Sequence, residues 1–362
     1  MTRSLIRLLL TMLAATGPTV HLTLSPTPGN PRNSEGDFIR LNDGKILFIY
    51  THFTGGAADH ASAHLASRFS IDGGRTWSER DEPVPAQQGG QNTMSVSLLR
   101  LNSGNIALFY LVKNSRNDCR AYLQLSSDEA RTWSQPHLAM AAEGYYVVNN
   151  DRVIQLANGR IVIPAAWHRP IEGKEFNYRS TALCFLSDDE GKTWRAGRGL
   201  VDPPQEGKSG LQEPLVVELK DHRLLMLCRT DLGSQYRCYS GDGGETWSRA
   251  EPSDIKSPLS PASLKRIPST GDLLLVWNDH SKIDQSIKGK RTPLAAAFSR
   301  DDGKTWSAPK IVEPDPDGWF CYTAIDFIDN RVLLAYCAGN GRKDGLNTTR
   351  ITSIPLDWLY GR

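Results

Sequence analysis

The chain has 362 residues, 39% hydrophobic and 23% charged, which is globular and long enough to bury a large core without disulfide staples. Its 42 basic and 40 acidic residues leave a net charge of +2, so no charge excess calls for nucleic acid or an anionic membrane surface. Six cysteines (Cys119, Cys184, Cys228, Cys238, Cys321 and Cys337) lie in apolar strand-like runs such as LLMLCRT and VLLAYCAG. They show no metal-ligand spacing and read as buried thiols, so neither a metal nor an organic cofactor is expected.

The chain opens with MTRSLIRLLLTMLAATGPTV, in which Arg3 and Arg7 precede an apolar run from Leu8 to Ala15 and then small residues. That pattern reads as a secretory signal peptide over residues 1–18, because the run is too short to cross a bilayer. No later segment approaches a membrane span. Residues 19–362 are therefore expected to form one periplasmic or secreted, monomeric unit.

Five copies of S-x-D-x-G-x-T-W follow: SIDGGRTW from Ser70, SSDEARTW from Ser126, SDDEGKTW from Ser187, SGDGGETW from Ser240 and SRDDGKTW from Ser299. Only the second departs, with Ala130 in place of glycine. Their tryptophans stand 56, 61, 53 and 59 residues apart, a period typical of stacked or radial repeats. Each unit carries a hairpin ahead of the box. In chain order these are DFIRL–NDGK–ILFIY, SLLRL–NSGN–IALFY, RVIQL–ANGR–IVIPA, LVVEL–KDHR–LLMLC and SLKRI–PSTGD–LLLVW. A sixth hairpin, YTAIDF–IDNR–VLLAY, has no box. Short apolar runs around Asn-Gly and Asp-Gly turns are β-hairpins. Six such units predict an all-β, six-bladed propeller of four-stranded antiparallel blades, with VHLTL (20–24) completing the last blade. The boxes then fall between third and fourth strands. There the aspartate accepts turn amides, the glycine supplies positive φ, and the tryptophan buries its ring between blades.

Hairpin parity puts the boxes and the first turns on one face, and the loops after second strands on the other. The first face repeats itself and the second does not, so function is expected on the second. Its loops are long and polar, from THFTGGAADHASAH in unit one to NDHSKIDQSIKGKRT in unit five. The openings of the innermost strands (NSEGD, GGQNTMS, YYVVNND, GLQEP, PLSPAS, WFCYT) bring Glu35, Asn92, Asp151, Glu213 and Tyr322 towards the axis. A polar funnel there suits a small polar ligand such as a sugar.

Five boxes on six units, over nearly the whole chain, resemble the sialidase (neuraminidase) superfamily of glycoside hydrolases. The resemblance implies an arginine triad for a substrate carboxylate, a tyrosine nucleophile paired with a glutamate, and an aspartate as acid/base. Carried over residue by residue, it implies Glu213 in GLQEP and Tyr322 in FCYT as the catalytic pair, with Asp59 in AADHA as the acid/base. It also implies Arg229 and Arg291 as carboxylate-binding arginines. The family's first arginine opens unit one in an Arg-Ile-Pro motif. Here counting back from Asp43-Gly44 puts Ser34 or Glu35 at its place, with Arg32 or Arg152 as possible substitutes. The glutamate that buttresses that arginine is replaced near Cys337. Glu35, Asp151 and Arg152 are further expected to line the site, whereas His52, His60 and His168 are read as incidental loop histidines.

These residue types suit glycoside cleavage through an oxocarbenium-like transition state. Sialidases are the exception to the two-carboxylate rule, using a tyrosine. A neutral phenol can approach an anomeric carbon that bears a carboxylate, where a carboxylate nucleophile would meet like charge. The expected function is exo-acting, retaining release of a terminal sialic acid or related acidic sugar from glycoconjugates. The alternatives are a non-catalytic glycan-binding propeller, or a hydrolase or lyase for another uronic or neutral sugar.

Overall fold

The structure, a computed structural model, describes residues 17–362, so nearly all of the expected leader lies outside the described residues. It is a six-bladed β-propeller. The innermost strands are Arg32–Arg40, Asn92–Arg100, the split pair Tyr146–Val147 and Ile154–Gln155, Gln212–Glu218, Ser263–Arg266 and Gly318–Ile328. Five blades have four antiparallel strands, and blade three has five because its innermost strand is broken. Blade six takes its outermost strand from the start of the described chain. Thr19–Leu24 pairs antiparallel with Thr349–Pro355, so the last blade is closed by the opposite end of the chain, as expected. Among the described residues no helix is long and apolar enough to cross a membrane.

Packing follows the radial plan. Six clusters of buried apolar side chains fill the junctions between blades, as with Phe38, Phe48 and Tyr50 against Ala324, Leu333 and Ala335 at the six–one junction. Around the axis, Asn150 of blade three donates to Gly36 O (2.8 Å) and Tyr322 O (3.0 Å), tying three blades together. All six cysteines are buried free thiols.

The boxes are turns built by their own side chains. In the third, Asp189 accepts from the Thr193 amide (2.9 Å) and hydroxyl (2.6 Å) and from Ser187 Oγ (2.8 Å), while Gly191 N donates to Ser187 Oγ (2.8 Å). The tryptophans are half-buried rather than engulfed. Trp194 meets Phe109 edge-on at 5.9 Å and donates its indole N–H to Gly191 O at 2.9 Å, so one ring edge stays near solvent. The box glycines hold φ near +85°, and Ala130 is forced to φ +61° at the same place.

Two outcomes follow from this geometry. Left-handed backbone costs an L-residue roughly 1–2 kcal/mol, partly offset by the entropy glycine loses on folding. Ala130→Gly should therefore raise unfolding free energy by about 0.5–1 kcal/mol, read from urea midpoints; an unchanged or lowered midpoint would contradict the strain. The second concerns acid. Threonine hydroxyl and amide hydrogen bonds hold the Asp128, Asp189 and Asp301 carboxyls down at about 2. With folded pKa values below the unfolded value of about 3.9, their contribution is fully present above pH ~4 and is lost as pH falls through about 2. Urea midpoints across that range should drop for the native chain and drop less steeply for Asp189→Asn.

Candidate active site

The innermost strands do not run regularly to the axis. Register slips interrupt the pairing between Ser34 and Asp37, Met94 and Ser97, Gln212 and Leu215, and Cys321 and Ala324. Within these bulges, and at the break in blade three, sit non-glycine residues of left-handed backbone: Glu35 (φ 52°), Ser95 (60°), Glu213 (47°), Tyr322 (57°) and Asp151 (55°). A bulged residue leaves the pleat and re-aims its side chain, and strain of this kind gathers at functional sites. In blade one, Gly36 permits the bulge, since a Cβ there would lie 2.5 Å from the Phe48 ring.

Four of these five residues line one cavity of about 130 Å³ on the loop face: Glu35, Ser95, Glu213 and Tyr322. Asp59, Lys113, Tyr145 and Asn149 complete its polar wall, with Met94, Leu111 and Val147 among the apolar lining. Tyr322 Oη donates to Glu213 Oε1 at 3.2 Å, and Glu213 Oε2 accepts from Arg229 Nη1 at 2.6 Å. Arg291 is buried, its guanidinium carbon 5.4 Å from the Tyr322 ring centre and 5.2 Å from that of Trp319, with Nη1 on Cys321 Sγ at 3.0 Å. Burial and the neighbouring Glu213 carboxylate push the Tyr322 phenol up, against the pull of Arg291 and Arg229, so it is neutral at neutral pH.

The third guanidinium at this mouth is Arg32, two residues before the position reached by counting back from the turn. It donates to Ser34 Oγ (3.2 Å), Glu35 (3.1 Å), Asp59 (2.5 Å) and Ala57 O (3.2 Å), and lies 4.5 Å over the Phe53 ring. Cys337 Sγ approaches Ser34 Oγ at 3.4 Å on the blade-six side. Glu35 is buried and also accepts from Ser95 Oγ; burial raises its pKa against the pull of Arg32. Lys113 Nζ donates to Asp59 O at 2.7 Å. Arg32, ahead of the first predicted strand of unit one and named as a substitute for the family's first arginine, and Lys113, in the loop after the second predicted strand of unit two, were visible in the sequence as loop-face charges. Side-chain direction across a bulge was not.

Asp151 and Arg152 do not join the cavity, contrary to expectation. Asp151 accepts from Lys265 Nζ (2.6 Å) and from Ile325 N (2.8 Å), which turns its carboxylate along the axis towards the box face. Arg152 is buried and donates to Ala262 O (2.8 Å) and Ser263 Oγ (3.3 Å), a tie between blades three and five. Of the histidines, His168 donates from Nδ1 to Asn177 O (2.8 Å), and His52 pairs with Asp81 at 3.3 Å.

The BNR repeat-like domain family matches residues 65–333. The chain belongs to the BNR-repeat proteins of the sialidase superfamily. A sialidase of Micromonospora viridifaciens is 25% identical over 364 residues, covering 88% of this chain and 50% of that protein. Thus this chain spans about half the length of that curated relative. Among solved structures, a Dyadobacter fermentans protein of unknown function superposes with a TM-score of 0.74 at 18% identity, covering 94% of this chain and 98% of that one. A leech intramolecular trans-sialidase complexed with 2,7-anhydro-Neu5Ac superposes with a TM-score of 0.71 at 14% identity, covering 96% and 71%. At these identities the superpositions speak for the shared propeller alone.

The correction at Arg152 is open to measurement. Arg152→Met keeps the bulk but leaves Ala262 O and Ser263 unpaired, so it should cost about 1–3 kcal/mol of stability. Ligand affinity at the loop-face cavity should be unchanged. Full stability with lost affinity, by urea titration and calorimetry, would return Arg152 to the site.

Proposed function

We propose that this protein is a retaining exo-glycosidase that removes a terminal sialic acid or a related acidic sugar from glycoconjugates. The observation that carries the reading is the chain Tyr322 Oη–Glu213–Arg229 at the cavity wall, with Arg291 stacked on the same phenol. A phenol is a weak nucleophile until a base takes its proton, and Glu213 is within reach to do so. Tyr322 Oη then attacks the anomeric carbon, and the proton passes to Glu213. Asp59 gives a proton to the departing glycosidic oxygen. In the second step water attacks the anomeric carbon as its bond to Tyr322 Oη breaks, Asp59 takes the water's proton and Glu213 returns its proton to the phenol, so the anomeric configuration is retained. Arg229 and Arg291 offer terminal donors to the sugar's carboxylate, and Arg32 adds its charge beside them. Glu35, fixed on Arg32 and Ser95, keeps Arg32 oriented and faces the sugar's hydroxyl or amine groups.

The experiment is a panel of aryl glycosides that includes the sialoside, followed by release of the aryl alcohol. Release from the acidic member is expected. Tyr322→Phe should then remove most turnover with ligand affinity nearly intact. Glu213→Gln should lower kcat by roughly 10²–10⁴, the range for general acid–base groups. The double variant should lose little more than either single one, because groups acting as a unit are non-additive. Binding of a glycan without release from any member would make the propeller a lectin. An ultraviolet-absorbing unsaturated product from uronate polymers would make it a lyase.

A further inference from the structure

Arg32 is only 1% exposed, and all four hydrogens of its two terminal nitrogens are engaged. Nη1 donates to Ala57 O at 3.2 Å and to Asp59 at 2.5 Å, and Nη2 to Ser34 Oγ at 3.2 Å and to Glu35 at 3.1 Å. Arg229 and Arg291, by contrast, use Nη1 alone on Glu213 and Cys321. A ligand carboxylate therefore gains a bond to Arg32 only by replacing a partner already there. Ser34 and Glu35 are buried in the innermost strand, and Glu35 is held a second time by Ser95. Asp59 differs, for its side chain is 66% exposed. Its backbone is pinned, with its carbonyl accepting from Asn92 Nδ2 (2.9 Å) and Lys113 Nζ (2.7 Å), while Asn92 also holds Ala61 O (3.0 Å). The carboxylate can turn away about its own side-chain torsions while the loop stays in place.

We propose that Asp59 is a displaceable internal ligand of Arg32, holding the place that a substrate carboxylate takes over, and that its displacement makes it a competent acid. The inference rests on the acidic-sugar reading and adds to it a coupling between binding and protonation. Arg32, Lys113 and Arg291 face Asp59 as cations, Glu35 and Tyr145 stand across the cavity, and His60 adjoins it in the chain. Partial desolvation against the cavity wall raises the Asp59 carboxyl, but the charge and hydrogen bond of Arg32, together with the charges of Lys113 and Arg291, hold it below the ordinary range. A carboxyl so held is ionised and has no proton to give. When a ligand carboxylate takes Nη1 of Arg32, Asp59 loses its nearest cation and gains an anion beside it, and both changes favour the protonated form. The proton comes from solvent. Because the liganded state has the higher Asp59 pKa, binding takes up a proton between the two values, and affinity for an acidic ligand rises as pH falls through that window.

The test is calorimetric titration of the whole chain with N-acetylneuraminic acid and with its methyl ester, at several pH values between about 4 and 6, in buffers of different ionisation heat. The acid should bind with uptake of a fraction of a proton, and the ester without it. Asp59→Asn should abolish the uptake and bind the acid about two- to fivefold tighter, as expected when an exposed competing ion pair is removed. Uptake that survives in Asp59→Asn, acid binding with no uptake in the native chain, or a weaker Asp59→Asn complex would overturn the inference and leave the acidic-sugar reading standing. If neither probe binds, the acidic-sugar reading fails and takes this inference with it.

Discussion

Innermost strands of a propeller converge on an axis too narrow for regular pairing to continue, and here the pairing is broken by bulges. In a pleated strand alternate side chains point into the two neighbouring blade interfaces, and none points along the axis. A bulged residue escapes that alternation. Glu35, Ser95, Glu213 and Tyr322 gain access to a common cavity because the ladder slips by a residue beneath each of them. Every such left-handed residue costs roughly 1–2 kcal/mol, so the arrangement persists only where the surroundings impose it. Asn150, bonded at once to Gly36 O and Tyr322 O, is one such constraint.

The rest of the architecture holds these bulges in register. Six apolar clusters lock blade to blade, and the boxes fasten the outer strands at the face away from the cavity. The bonds that shape each turn are short-range, from Ser187 and Asp189 to partners no more than four residues away, while others reach the next blade, as where Glu190 accepts from Ser103 N (2.9 Å) and Gly191 O meets His137 (2.9 Å). A turn closed by its own side chains and repeated from blade to blade explains why the motif recurs with little change while the opposite loops differ in length and chemistry. Rigidity on one face leaves the other free to vary.

The propeller was legible because its signals are local: a hairpin turn, an apolar run and a box each declare themselves within ten residues. The site was legible only in part. The approach of Tyr322 to Glu213 followed from two strand openings at matching positions. Asp151 also opens an innermost strand and carries the same left-handed φ, yet its carboxylate turns to Lys265 and the Ile325 amide. Nothing in NNDRV tells one fate from the other, because the deciding partners lie more than a hundred residues downstream. Arg32 was obscured for a related reason. Counting from a turn presumes an unbroken ladder, and the slip between Ser34 and Asp37 displaces the count.

Charge gives the cavity its chemical character. Four cations, Arg32, Lys113, Arg229 and Arg291, surround three carboxylates, Glu35, Asp59 and Glu213. The resting set thus carries a surplus of one positive charge, which matches the single negative charge of the proposed substrate. A nucleophile of the ordinary glycosidase kind would already be the fourth carboxylate, and a substrate anion arriving beside it would be the fifth. In an enclosed site, where charges are poorly screened, that excess raises carboxyl pKa values and weakens anion binding together. Tyrosine avoids the conflict. Tyr322 stands in the resting site as a neutral phenol donating to Glu213, and in the proposed mechanism it would yield that proton only as attack begins, leaving the cationic surplus available to the incoming sugar.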